Sequence, residues 1–341
     1  MPRRVLDPTA ERLDRPGVID MIYPIAHDLP TPAPIRRALE RAARRADRYP
    51  HGEAAVREAL GAYVGVSPEA VLPTVGATGA LDLACRTWLA GRRAAVATPA
   101  FWQLVDAPDR NGARVSLPPV ADPDAVLDAF READGVLLSA PNNPTGQLLD
   151  PALLDALLAV SRGRPVIVDE SYADVAGFTA ITAEMHPDLV VVRGFKTHLI
   201  PGARAGYLVG HPARVAQLQQ LRLPFALNVF AEAAVLAVLH HIDLIRGCWA
   251  QLRADLRHLE AGLAALGGQL TPSHAVFACW RHPEAIAIAR ALAEADVYVL
   301  SAERPVIVGM PSDHLRLTAR GRDVTERVLG LMATLPALNP R

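Results

Sequence analysis

Between residues 94 and 209 the chain repeatedly switches from a short apolar run to a stretch of helical character. The runs are Ala94–Ala97, Gly135–Ser139, Pro165–Val168, Leu189–Val192 and Ala205–Val209. They are too short to be helices, and they do not alternate apolar with polar residues. Strands covered on both faces have this composition, and strands joined by helical crossovers lie in a largely parallel sheet. One crossover is legible in detail: Asp150 stands as a cap, Pro151 takes the first helical position and LLDALLAV follows. The fold class is therefore α/β. From Val229 to about Gly267 the pattern becomes one long helix, after which strands at Val276–Trp280, Val297–Leu300, Val306–Gly309 and His314–Thr318 alternate with helices. This predicts an N-terminal arm with part of a small domain over residues 1–44, a large domain over 45–235 and a smaller α/β domain over 236–341. The proline-rich stretch Tyr23–Pro34 reads as an extended segment lying over a surface.

Composition narrows the class of partner. The chain has 35 basic and 36 acidic residues in 341, so no global charge directs it to nucleic acid or an anionic membrane, and a small molecule is expected. The opening MPRRVLDPTAERLDRPG mixes both signs of charge without an apolar run, which predicts neither a leader nor an anchor. The longest apolar stretch, Val229–Leu239, is broken by Glu232 and too short to span a bilayer. A soluble, cytoplasmic protein follows. Cys85, Cys248 and Cys279 show no CxxC spacing and read as reduced core residues. Arg36, Arg37, Arg41, Arg44, Arg45 and Arg48, interleaved with Glu40 and Asp47, read as a solvated or dimer-edge helix face.

Ligands of open parallel sheets gather at the carboxyl ends of the strands. After Gly135–Ser139 comes APNNPTG with Asn142 and Asn143; after Pro165–Val168 come Asp169, Glu170, Ser171 and Tyr172. After Leu189–Val192 come Arg193, Gly194, Phe195 and Lys196, with Arg204 eight residues beyond the lysine. Lys196 is the one lysine among the 35 basic residues. A guanidinium cannot replace an amine that must lose its proton and attack a carbonyl, so a Schiff-base lysine is the leading reading. An amine, a strand-end carboxylate, a phenol, an amide and an arginine together suit an aldehyde bearing an aromatic ring nitrogen and a phosphate. Pyridoxal 5'-phosphate has that chemistry.

NNPTG, DESY, the lysine with IPGARAGY after it, and HLRLTAR at 314–320 resemble, in order and separation, the class I/II aminotransferases among the fold-type I pyridoxal-phosphate enzymes. Within that family the chain looks most like the histidinol-phosphate aminotransferase and threonine-phosphate decarboxylase group. The resemblance implies a mostly parallel sheet flanked by helices in a large domain, with a smaller α/β C-terminal domain. It implies that Lys196 anchors the cofactor and moves a proton at the substrate α-carbon. Asp169 would keep the ring nitrogen protonated, while Asn143 and Tyr172 would bond the ring's phenolic oxygen. Phe101 would stack on the ring, with Trp102 beside it as competitor or substrate contact. Gly76, Ala77 and Thr78 at a helix start, together with Arg204, would hold the phosphate. Tyr49 would reach the phosphate from a partner subunit, which implies a homodimer. Arg316 would pair with the substrate carboxylate, and His27, Arg320 and Arg322 would read a second anionic group.

The resemblance implies transamination between an amino acid or amino alcohol and a 2-oxo acid. A decarboxylase or lyase uses the same residues, and a non-catalytic ligand-binding relative is the alternative from another class. The family usually carries a serine or threonine just before its lysine; here Arg193, Gly194 and Phe195 stand there, so either Arg193 substitutes or Thr78, the helix amides and Arg204 suffice. GATG at 76–79 is not the GxGxxG dinucleotide fingerprint, and no glycine-rich loop precedes Lys196–Thr197 to make a P-loop. The histidines show no metal spacing; His27, His51 and His198 are candidates to line the site.

Overall fold

The computed structural model describes residues 15–338. The charged opening before residue 15, read above as neither leader nor anchor, lies outside the described residues, as do residues 339–341. Seven strands form the main sheet: β1 (Val71–Val75), β2 (Arg93–Val96), β3 (Arg114–Ser116), β4 (Val136–Ser139), β5 (Val166–Asp169), β6 (Leu189–Gly194) and β7 (Ala205–Gly210). Their order is β1-β7-β6-β5-β4-β2-β3. Pairing is parallel from β6 through β3, and β7 runs antiparallel to both neighbours. A physical reason is connection length. Residues 195–204 between β6 and β7 hold only two 3₁₀ turns, Lys196–His198 and Pro201–Ala203. That is too little chain for a helical crossover, so the strand turns back. The short return leaves Lys196 and Arg204 on one sheet edge.

Alternate residues of each central strand face opposite helical layers. Val166, Val168, Val191 and Leu138 join a core with Phe130, Leu157, Leu60 and Trp249; Ile167, Val190, Val192 and Leu137 join another with Ala80, Leu81, Leu104 and Leu218. This two-sided burial explains the continuous apolar runs. The second layer includes α1 (Gly76–Trp88), and the first includes α2 (Pro151–Val160), whose N-terminus is capped by Asp150 Oδ1 accepting from the Ala152 N–H at 2.9 Å.

The long helix expected from Val229 is two helices, α3 (Val229–His240) and α4 (Ile242–Ala265), broken where His241 leaves helical geometry at φ −113 and ψ 33. Helix α4 runs from the main core at Trp249 to a second core at Leu256, Leu259 and Leu263. That second core backs an antiparallel sheet of β8 (Gln269–Thr271), β9 (Phe277–Arg281), β10 (Leu300–Ser301) and β11 (His314–Thr318) in the order β8-β9-β11-β10. The expected strand Val297–Leu300 divides: Val297–Tyr298 pairs in parallel with Ile19–Asp20, and β10 pairs with β11. Ile307–Val308 leaves the small sheet to pair with Ala100–Phe101. Tyr23–Pro34 is irregular as far as Pro32, and a helix starts at Ala33 with Pro34 in its first turn. Cys85 and Cys279 are buried, whereas Cys248 is only half-buried. Among the described residues no helix is long and apolar enough to cross a membrane.

Candidate active site

Helix α1 starts directly at the end of β1 without a side-chain cap, so its first-turn N–H groups are left for another acceptor. Gly76 adopts φ +68, which glycine reaches without strain. A Cβ on Gly206 would stand 2.3 Å from the Gly76 carbonyl carbon and 2.6 Å from Ala77 N, so the helix start is pressed against β7. Arg204 follows the second 3₁₀ turn at φ +53, and its Nη2 lies 3.0 Å from where a Gly76 Cβ would be. A positive helix end and a guanidinium thus face one small space, the arrangement an anionic oxygen cluster takes. The Thr78 hydroxyl donates to Gln103 Oε1 at 2.6 Å. Thr78 is therefore left with its backbone N–H for the cradle.

Lys196 opens the return connection, and its Nζ sits 3.8 Å from the centroid of the Tyr172 ring. Asp169 is the last residue of β5, opposite Val192 of β6, which brings its carboxylate near the lysine. Its Oδ1 accepts from the Ser171 N–H at 3.0 Å and from the Ser171 hydroxyl at 2.5 Å. Burial pushes the Asp169 carboxyl upward, against the opposing pull of the Lys196 charge and the Ser171 bonds. Among the described residues the buried Tyr172 hydroxyl has no hydrogen-bond partner, while its ring meets Phe277 edge-on at 5.2 Å. The sequence placed Ser171 in DESY at the strand end without giving it a role, and Phe277 is brought to the site only by the fold.

Arg316, on β11 of the small sheet, is 1% exposed and stacks over Phe277 with Cζ 4.9 Å from the ring centroid. Its Nη1 donates to Asn143 Oδ1 at 2.7 Å, and its Nη2 donates to the Ile22 carbonyl. Its Nε is buried without a partner among the described residues. Asn143 thereby turns its carboxamide oxygen to Arg316 and its NH₂ the other way. Asn142 instead braces the turn, accepting from the Thr145 hydroxyl at 2.9 Å and donating to the Pro99 carbonyl at 3.0 Å.

Several expectations need correction. Arg193 does not substitute for the missing hydroxyl: its guanidinium points behind the sheet edge to Glu170 and Asp174. His198 does not line the site, being wholly buried in the same quarter with its ring 5.0 Å from that of Trp249. Burial pushes its pKa down to about 4, so it is neutral. Arg320 is consumed by Asp28, donating from Nε and Nη2 at 2.8 Å each and from Nη1 to the Asp20 carbonyl at 2.8 Å. It fastens the N-terminal segment rather than offering a free fork. Arg322 is exposed and pairs with Glu326. His27 Nε2 sits 2.8 Å from the Tyr23 carbonyl and 3.5 Å from Asp20 Oδ2. His51 is exposed near Phe225, as is Tyr49, whose ring stacks on Phe225 at 4.7 Å. Phe101 and Trp102 are adjacent and half-buried, with ring centroids 5.9 Å apart.

The residues present fit pyridoxal phosphate. The uncapped helix start and Arg204 suit its phosphate, the raised Asp169 carboxyl suits a cationic ring nitrogen, and the orphaned Tyr172 hydroxyl suits the phenolic oxygen.

Comparisons with known proteins agree. A histidinol-phosphate aminotransferase from Thermobifida fusca is 32% identical over 314 residues, covering 84% of this chain and 85% of that protein. One from Thermococcus kodakarensis is 29% identical over 289 residues, covering 81% and 80%. The crystal structure of the Sinorhizobium meliloti histidinol-phosphate aminotransferase, solved with pyridoxal-5'-phosphate, superposes with a TM-score of 0.85 at 20% identity, covering 96% of this chain and 92% of that one. L-threonine-O-3-phosphate decarboxylase from Porphyromonas gingivalis gives a TM-score of 0.80 at 22% identity, covering 93% and 98%, and so shares the fold. The family model for aminotransferase class I and II matches residues 22–329, and the chain belongs to that family of pyridoxal-phosphate-dependent transferases.

Proposed function

We propose that this aminotransferase acts on an amino donor carrying one acidic group, carboxylate or phosphate, which Arg316 reads. The observation that carries the reading is the Arg316 guanidinium: buried, stacked on Phe277, aligned by Asn143, and left with an unpartnered Nε. Arg320, the other arginine of that region, is committed to Asp28. One inward fork favours a donor with a single acidic group, as in histidinol phosphate, over one with two, as in threonine phosphate. Bound pyridoxal phosphate supplies an electron-withdrawing ring that weakens a bond at the substrate α-carbon. In the proposed assignment Lys196 Nζ is the covalent anchor and the base that moves the α-proton, with the Tyr172 ring beneath it. Asp169 holds the ring-nitrogen proton, the Tyr172 hydroxyl and Asn143 NH₂ hold the phenolic oxygen, and the amides of Gly76, Ala77 and Thr78 with Arg204 hold the phosphate. Phe101, or Trp102 next to it, covers the ring.

The same proposal makes the enzyme a homodimer in which Tyr49, 69% exposed and stacked on the exposed Phe225, serves a partner's phosphate site. It treats 45–235 as the cofactor-binding domain and 236–341, joined by part of 1–44, as the small one; the seven-stranded sheet lies in the former span and the four-stranded sheet in the latter. Three free cysteines support a cytoplasmic location. The test is a visible absorption spectrum of the purified protein before and after each amino donor, repeated on Lys196→Ala. Conversion of the cofactor band by histidinol phosphate or a monocarboxylic amino acid is expected; a wild-type protein without the band would sink the reading. Carbon dioxide release without band conversion would replace transamination by decarboxylation.

A further inference from the structure

Behind Lys196 lies a cluster of ionised side chains to which the proposed cofactor and substrate assignments give no role. Glu170, the residue after Asp169, and Arg193, three residues before Lys196, are 0% and 6% exposed in their side chains. Arg193 Nε and Nη2 both donate to Glu170 Oε2, at 3.0 and 2.7 Å, and Nη1 donates to Asp174 Oδ1 at 3.0 Å. Glu170 also accepts from the Thr179 hydroxyl at 2.9 Å and the Ala180 N–H at 2.5 Å, and Asp174 accepts from the Tyr63 hydroxyl at 2.7 Å. Burial works against the guanidinium's charge, yet the Asp174 and Glu170 carboxylates outweigh it and hold Arg193 firmly protonated. A cavity of about 320 Å³ lined by Tyr63, Asp174, Thr179, Arg193 and Trp249 gives onto this cluster.

The position of the cluster is what matters. The parallel ladder between β5 and β6 continues through Glu170, whose N–H donates to the Val192 carbonyl at 2.8 Å. Beyond that bond the two chain segments diverge, one continuing from Asp169 to Tyr172 and the other to Lys196. The Arg193 fork bridges them there. A buried ion pair is a poor source of net stability, and in some proteins its fixed geometry instead sets how the segments it joins are placed. Arginine's rigid fork can grip two carboxylates at once, which the point charge of a lysine cannot.

We propose that Arg193 is a positioning residue: through Glu170 and Asp174 it fixes Lys196 against Asp169 and Tyr172. The inference rests on the reading that Lys196 and Asp169 hold the cofactor. The test uses the holoenzyme with Arg193→Lys and Arg193→Ala, the latter also with added guanidinium ion, which the neighbouring cavity can admit. The measurements are kcat, donor KM, the cofactor's visible spectrum and Tm, with assays well below each variant's Tm. Arg193→Lys is expected to lower kcat about tenfold, and Arg193→Ala about a hundredfold, the loss typical of misplacing a reacting group by an ångström. Donor KM should stay within about twofold of wild type, because Arg316 is untouched, and the cofactor band should shift. Guanidinium, but not potassium chloride at equal ionic strength, should restore kcat and the band in Arg193→Ala. Folded variants with wild-type kcat and spectrum would overturn the proposal, as would a loss that guanidinium does not recover or that the unfolded fraction accounts for. A wild-type protein without a cofactor band would defeat the functional reading instead, which keeps the two failures apart.

Discussion

Asp169 and Glu170 are consecutive, and so nearly are Arg193 and Lys196, yet each pair divides between two environments. On the front edge of the sheet Asp169, Tyr172 and Lys196 meet with hydrogen-bonding capacity left over: the Tyr172 hydroxyl is unpartnered and the Asp169 carboxyl is pushed up by burial. Behind it, Glu170, Arg193, Asp174 and Tyr63 satisfy one another. The difference teaches that one short strand end serves two purposes. The front residues are left able to receive a ligand, whereas the four ion-paired and hydrogen-bonded residues behind them are held by one another.

The contrast can be broken most severely at the lysine. Lys196→Ala should cut turnover by at least about 10³-fold while the fold persists, because the lysine is half-buried and outside the ion-pair cluster; steady-state kinetics beside a thermal melt checks both halves. Asp169→Asn should lower kcat by about a hundredfold with little change in donor KM. Its neighbour tests the opposite face: Glu170→Gln leaves a buried arginine undercompensated and should cost about 3 kcal/mol of stability, measured by urea unfolding. A mild loss there combined with normal kinetics would erase the distinction between the two faces.

A smaller test uses pH. His198 has its pKa lowered from 6.5 to about 4 by burial, so below pH 6.5 the unfolded chain binds a proton that the folded chain refuses. Stability from this group is complete above pH 6.5 and is lost as pH falls towards 4, by roughly 3 kcal/mol in all. His198→Phe should flatten that part of the profile in urea unfolding measured from pH 7 to 4. Smallest should be Arg320→Ala. It removes a partly exposed bidentate pair with Asp28 and should cost at most about 1 kcal/mol, with kcat and donor KM unchanged. A raised KM for phosphorylated donors would return Arg320 to the substrate site.

Much of this arrangement could be read from the chain. The apolar runs located five central strands to within a residue or two because burial on both faces leaves no polar positions to blur them. Two of the strands left unread are edge strands: β1 contains Pro73, tolerable only where a missing N–H is harmless, and β3 is the polar RVS. The strand-end motifs put Lys196, Asp169, Tyr172 and Arg204 on one sheet edge. Motifs do not report direction, however. Arg193 and Arg320 looked like free cations near a site, and each is claimed by carboxylates that only folding brings near: Glu170 and Asp174 for one, Asp28 for the other.

The contact between Gly206 and the start of α1 has a consequence for how this enzyme can change. At most positions in the site a substitution adjusts charge or reach by degrees. At Gly206 one added carbon would occupy the place of the Gly76 backbone itself, 2.3 Å from its carbonyl carbon. Charge can drift by small steps at Arg204, but the shape of the cradle is all-or-nothing, because it is made from the absence of atoms. If the helix start holds the phosphate as proposed, descendants of this chain can acquire new substrates far more readily than a new cradle for that group.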